Sequence, residues 1–96
     1  MLIIVTYDVK TETAEGRKRL SKIAKACTDK GQRVQNSVFE CDLDNTQLAI
    51  LKNKLLGIIH QKEDSLRFYN LGNKYQNRIE HYGIKTSYDP EGTLIL

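Results

Sequence analysis

The sequence predicts an α+β domain in which two helices cover one face of a small antiparallel sheet. Three observations carry that expectation. The chain opens with a run of β-branched and apolar residues lacking helical spacing, two later stretches carry apolar residues at helical spacing, and alternating segments lie between and after those stretches. Ninety-six residues and 11.0 kDa suffice for one domain spanning 1–96, with a core small enough to gain from a partner subunit. With 40% hydrophobic and 28% charged residues and a single proline, collagen-like and disordered classes are excluded.

Leu2–Val9 (LIIVTYDV) reads as a central strand buried on both faces. A helix follows from about Thr13–Gly16 to Asp29, with Leu20, Ile23, Ala24 and Cys27 on its apolar stripe, and Gly31 stands where a left-handed cap is expected. Cys27 then faces the core as packing. Arg33–Leu43 is strand-like; Asn36-Ser37 turns it into a hairpin, or the segment is a single bulged strand. Asp44 and Gln47 have capping-box spacing for a second helix, whose stripe is Leu48, Leu51, Leu55 and Ile58 and which ends near His60. Asp64–Gly72 alternates as a strand, Ile79–Tyr82 reads as a short strand, and a Tyr88–Gly92 turn leads into the apolar tail Thr93–Leu96. The simplest arrangement is a ferredoxin-like βαββαβ antiparallel sheet with an additional C-terminal strand, forming a homodimer. Helices on one face leave the other bare for a second copy, a nucleic acid or a small ligand. The tail, residues 93–96, is expected to add to a sheet edge of the partner chain.

The longest apolar stretches, Met1–Val5 and Leu55–Ile59, fall far below the roughly 18 residues of a membrane span. With a strand expected directly from the first residues and no basic-then-apolar run before it, export by a signal peptide is not expected. Cys27 and Cys41 form no disulfide framework and match no zinc spacing, so a reducing cytoplasm is the expected location.

Charge is unevenly placed. From Lys10 to Arg33 eight basic side chains face three acidic ones, in a chain whose total is only +3. Such a field attracts polyanions, although a plain solvated helix face has the same composition. Asp8, at the carboxyl end of an apolar strand, suits a hard divalent cation; the bland alternative is a strand-ending turn residue. One carboxylate is thin for catalysis, and neither a paired-acid motif nor a Gly-rich phosphate loop accompanies it. A two-fold axis near the end of the first strand would bring two copies of Asp8 onto one metal. His60 and His81 have no ligand-spaced partners, and Ser37 has no activating histidine. Phe39 reads as core, with base stacking the minority reading, and the scattered tyrosines read as packing. No RNP-like run is present, which argues against an RRM.

Several segments nevertheless resemble one known family. Tyr7-Asp8-Val9 at the first strand's end, the basic Arg17–Leu20 segment, RVQNSVFE (33–40) and DSLRFY (64–69) follow the order and spacing of the Cas-two family, the small CRISPR-associated proteins of spacer acquisition. RVQNSVFE is the most specific part, and GNKYQNRIEHYG (72–83) with the tail looks like the branch associated with type I-C systems. The resemblance implies a ferredoxin-like homodimer, Mg²⁺-dependent phosphodiesterase activity and a complex with the family's integrase partner. It places the metal-binding aspartate at Asp8 and puts catalytic roles on Asp8, Arg19, Arg33 and Phe39, with Tyr7, Arg17 and Ser37 less firmly matched. Nucleic-acid contacts are expected at Arg17, Lys18, Arg19, Lys22 and Arg33. The resulting expectation is a metal-dependent endonuclease, cutting duplex DNA first and single-stranded RNA second. A non-catalytic duplex-binding bridge is the alternative, and a small-ligand sensor of the same fold is the third class.

Overall fold

The computed structural model describes residues 1–74 and 78–83. Its elements run β1 (Leu2–Asp8), α1 (Ala14–Thr28), β2 (Gln32–Gln35), β3 (Val38–Asp42), α2 (Asn45–Leu56) and β4 (Ser65–Gly72). The strands form one antiparallel sheet in the order β2-β3-β1-β4, which is the ferredoxin-like arrangement. As the apolar opening predicts, β1 is central, held between β3 and β4.

Local chemistry accounts for both helix starts. The Thr13 hydroxyl accepts from the Gly16 amide at 3.0 Å, satisfying one of the amides left open at the N-terminus of α1. Asp44 and Gln47 form the capping box of α2, with the Asp44 carboxylate accepting from Gln47 N at 2.7 Å and the Gln47 side chain accepting from Asp44 N at 3.0 Å.

One face of the sheet carries Ile3, Val5 and Tyr7 from β1 and Phe39 and Cys41 from β3. These pack with Ile23, Ala26 and Cys27 of α1 and Leu51 and Leu55 of α2 into a single core. The stripe of α1 is turned slightly from its expected position: Ala26 is buried, whereas Leu20 and Ala24 are half-buried. The expectation that β1 is buried on both faces is corrected. Ile4 and Thr6 point to the helix-free face and are half-buried, while Asp8 is exposed. Alternation on a sheet covered from one side produces this pattern.

Asn36-Ser37 closes a hairpin, and β2 also carries a register irregularity between Arg33 and Gln35, so turn and bulge occur together. Gly31 is not in the left-handed region; α1 ends through Asp29, whose amide donates to the Lys25 carbonyl, while the Lys30 and Gly31 amides donate to the Cys27 carbonyl. Gly31 is needed for a different reason. A Cβ there would collide with Cys41 Sγ and the Glu40 carbonyl, so the glycine lets the α1–β2 connection lie against β3. Gly31→Ala should therefore lower the melting midpoint measurably, by a loss of about 1–3 kcal/mol of the overpacking kind. A midpoint equal to wild type in calorimetry would refute that close approach.

Ile79–Tyr82 forms no strand. Arg78, Ile79, Glu80 and His81 instead lie over the open face, bordering a cavity of about 390 Å³ with Ile4, Glu40 and Leu71. A segment crossing a face cannot join the backbone ladder at an edge, which explains the missing strand. The expected Tyr88–Gly92 turn and the 93–96 tail lie outside the described residues. No described helix is long and apolar enough to cross a membrane.

Candidate functional site

Asp8 is the last residue of β1 and pairs in register with Ser65 of β4. Its side chain is exposed, and its carboxylate makes no hydrogen bond or ion pair among the described residues. A charged oxygen donor held at the end of a rigid strand with its lone pairs unspent suits a divalent cation. Mg²⁺ in particular needs only one or two carboxylates and fills its remaining positions with water. Among the described residues no three His, Cys, Asp or Glu side chains gather into a metal cluster, and Asp8 stands as a lone acid at this strand end among them.

Beside Asp8 lies a cleft of about 510 Å³ between α1 and the β2–β3 turn, bordered by Tyr7, Asp8, Ser21, Arg33 and Ser37. The structure thus brings together four of the sequence-predicted residues: Tyr7, Asp8, Arg33 and Ser37. Phe39 supports them from beneath. It is fully buried, stacks on Tyr7 with centroids 6.1 Å apart, and carries the Arg33 guanidinium 5.1 Å above its ring. That burial agrees with the reading of Phe39 as core and leaves its ring out of reach of a substrate in this protomer. Its role is to position Arg33 and Tyr7. The Tyr7 hydroxyl donates to the Asn36 carbonyl at 3.3 Å, and the Tyr7 amide donates to the Ser37 carbonyl at 3.1 Å, tying the hairpin turn to β1. Burial raises the Tyr7 pKa and Arg33 opposes it, so the phenol stays protonated at neutral pH.

Arg19 is placed differently from its expected role at phosphate. Its Nε donates to Asp64 at 2.7 Å, and its Nη2 donates to Asp64 and Glu63, each at 3.2 Å. The Asp64 side chain is wholly enclosed and also accepts from the amides of His60 (2.8 Å) and Lys10 (3.2 Å). This cluster fastens the β1–α1 loop and the α2–β4 loop to α1, immediately next to Asp8. A guanidinium so engaged is structural. Sequence reading missed Asp64 because its partner is 45 residues away; the only local signal was an acid directly before a strand.

The Arg19 hydrogen bond lowers the Asp64 pKa below the ordinary carboxylate value, with the His60 and Lys10 amides assisting and desolvation opposing. A group whose folded pKa is depressed contributes stability above its unfolded pKa and loses it as pH falls through the folded value. Asp64→Asn should therefore destabilise the fold at pH 7, by about 1–3 kcal/mol, and flatten the acid limb of stability against pH. Parallel acid limbs in wild type and variant would contradict this.

Arg17, Lys18 and Lys22 remain on the exposed surface of α1, together with Ser21. Arg17 Nη1 donates to the Thr11 carbonyl at 3.2 Å, and no carboxylate pairs with any of these three cations among the described residues. Cys27 and Cys41 are reduced and buried, and desolvation pushes their thiols up to about 12 and about 11, so neither is a nucleophile at neutral pH. The His60 side chain is exposed, and the His81 ring contacts the Gly83 carbonyl.

Residues 1–79 match the family described as CRISPR associated protein Cas2. The chain belongs to the CRISPR-associated Cas2 family. Among its Cas2 relatives, a protein of Chlorobaculum tepidum named CRISPR-associated endoribonuclease Cas2 is 58% identical over 96 residues, covering all of both chains. A protein of Halalkalibacterium halodurans named CRISPR-associated endonuclease Cas2 is 56% identical over 95 residues, covering 99% of each. The crystal structure of Streptococcus pyogenes Cas2 at pH 6.5 superposes with a TM-score of 0.76 at 54% identity, over 86% of this chain and 100% of that one. Membership in the Cas2 family agrees with the resemblance carried by RVQNSVFE and DSLRFY.

Proposed function

We propose that this chain is a homodimeric, Mg²⁺-dependent nuclease of CRISPR spacer acquisition that works alongside the family's integrase partner. The observation that carries the proposal is Asp8, an exposed carboxylate at a rigid strand end with no partner among the described residues, beside a cleft and a cationic helix face. The names of the Halalkalibacterium and Chlorobaculum relatives support nuclease chemistry, one without specifying the nucleic acid and the other as an endoribonuclease. Duplex DNA is the first substrate proposed and single-stranded RNA the second.

In this reading a two-fold axis would bring together two copies of Asp8, and these are the residues that would hold the cation. Held there, such a cation would supply Lewis-acid activation of a phosphodiester and of water near neutral pH. Arg17, Lys18 and Lys22 draw in and track the phosphate backbone by charge alone, with salt-sensitive affinity. Arg33, braced on Phe39, offers hydrogen bonds to a phosphate oxygen at the cleft. Arg19 does not enter the chemistry; through Asp64 it fixes the loop that follows Asp8.

The test is a parallel assay of labelled duplex DNA and single-stranded RNA, with Mg²⁺ and with chelator, on wild type and Asp8→Ala. Cleavage requiring both the ion and Asp8 supports the nuclease. Tight duplex binding without cleavage favours the second reading, a non-catalytic bridge, for which the open cationic face of α1 speaks.

A further inference from the structure

The antiparallel register of β1 and β4 pairs Asp8 with Ser65, Thr6 with Arg67 and Ile4 with Tyr69. Their neighbours Val5, Tyr7, Leu66 and Phe68 belong to or pack against the core, so alternation puts Thr6, Asp8, Arg67 and Tyr69 together on the helix-free face. Arg67 stands diagonal to Asp8, at about 7–8 Å between backbones, within reach of a long side chain.

Of the arginines expected to serve Asp8, Arg33 reaches the cleft beside it from the helix-covered side, and neither it nor Arg19 shares the helix-free face. Arg19 is engaged by two carboxylates, and Arg33 lies over Phe39, whose ring is on the helix-covered side. Arg67 is exposed and has no carboxylate partner among the described residues; its Nη1 donates to the Tyr69 hydroxyl at 3.3 Å. That bond steadies the guanidinium and leaves its other donors available. The segment over this face, Arg78–His81, borders Ile4, Glu40 and Leu71, which is the far end from Asp8.

We infer that Arg67 is a further residue that grips the substrate phosphate presented to Asp8, from that carboxylate's own face of the sheet. The inference rests on the nuclease reading. A guanidinium suits the task because its planar fork matches two phosphate oxygens, whereas Lys at the same position supplies only a point charge. The competing role for an exposed cation here is an ion pair with a second copy, since Glu40 and Asp42 lie on the same face.

The experiment compares wild type, Arg67→Ala and Arg67→Lys in three measurements. Binding of a labelled oligonucleotide in chelator is followed against salt, cleavage kinetics are followed in Mg²⁺, and the oligomeric state is read by sedimentation. Arg67→Ala should reduce the slope of log affinity against log salt by about 0.7–0.9, the value of one lost phosphate contact. It should also lower kcat/KM by about 10²-fold or more. Arg67→Lys should restore the salt slope but not the rate, and all three proteins should sediment alike. An unchanged salt slope, or a shift of Arg67→Ala toward monomer, overturns the assignment. Should wild type bind but never cut, the nuclease reading falls while the salt slope still decides whether Arg67 holds phosphate.

Discussion

Asp8→Ala should remove Mg²⁺-dependent cleavage, by about 10²–10³-fold or more, without unfolding the protein. The argument has two halves. On the chemical side, the described part of the protomer offers no three-ligand cluster, so nothing nearby replaces the lost carboxylate. On the structural side, the Asp8 side chain is exposed and unpaired among the described residues, and surface changes of that kind usually move stability by no more than about 0.5 kcal/mol. Asp8→Asn should behave like the alanine variant, because it keeps shape and loses the charge that holds a cation. Nucleic-acid binding in chelator should survive both changes, or strengthen slightly as a like charge leaves the phosphate path. Cleavage at the wild-type rate by a clean Asp8→Ala preparation would end the proposed mechanism.

Phe39→Ala should produce the largest loss of stability of any substitution discussed. The ring is fully buried in contact with Tyr7, and truncating such a residue costs about 3–5 kcal/mol. A domain of this size is stable by roughly 5–15 kcal/mol, so the loss is a large fraction of the total. Calorimetric midpoints should fall by tens of degrees, at about 4–8 °C per kcal/mol. Phe39→Leu separates packing from positioning. It refills most of the volume but removes the π face under the Arg33 guanidinium. Binding should weaken in Phe39→Leu, and adding Arg33→Ala should weaken it little further, because both changes remove the same braced cation. Fully additive losses would show that Phe39 and Arg33 act separately.

What could be read in the residues and what could not divides along sequence distance. The central strand, the start of α1 near Thr13 and the Asp44–Gln47 box are local patterns that appear where their own residues place them, whereas α2 ends at Leu56, short of the expected His60, and leaves Ile58 beyond the helix. Gly31 was misread because a helix-end glycine has two possible reasons, a left-handed turn or a close neighbour, and the neighbour is on β3. Ile79–Tyr82 has strand-like composition, yet composition does not say whether a segment meets a sheet at its edge or across its face. The site followed the same rule. The placement of Asp8, exposed at a strand end, was legible from the apolar run before it. Arg19 was not, because a basic cluster on a helix looks the same whether its members await phosphate or are already bound to a distant acid.

The bond between Arg19 and Asp64 therefore bears on how kinship should be interpreted. An arginine at position 19 and an acid at position 64 make one mechanical unit, and a lineage losing either has little reason to keep the other. Comparisons that score arginine 19 alone would mistake a rivet for a tool. The two positions should drift together, independently of whether a given descendant still cuts anything.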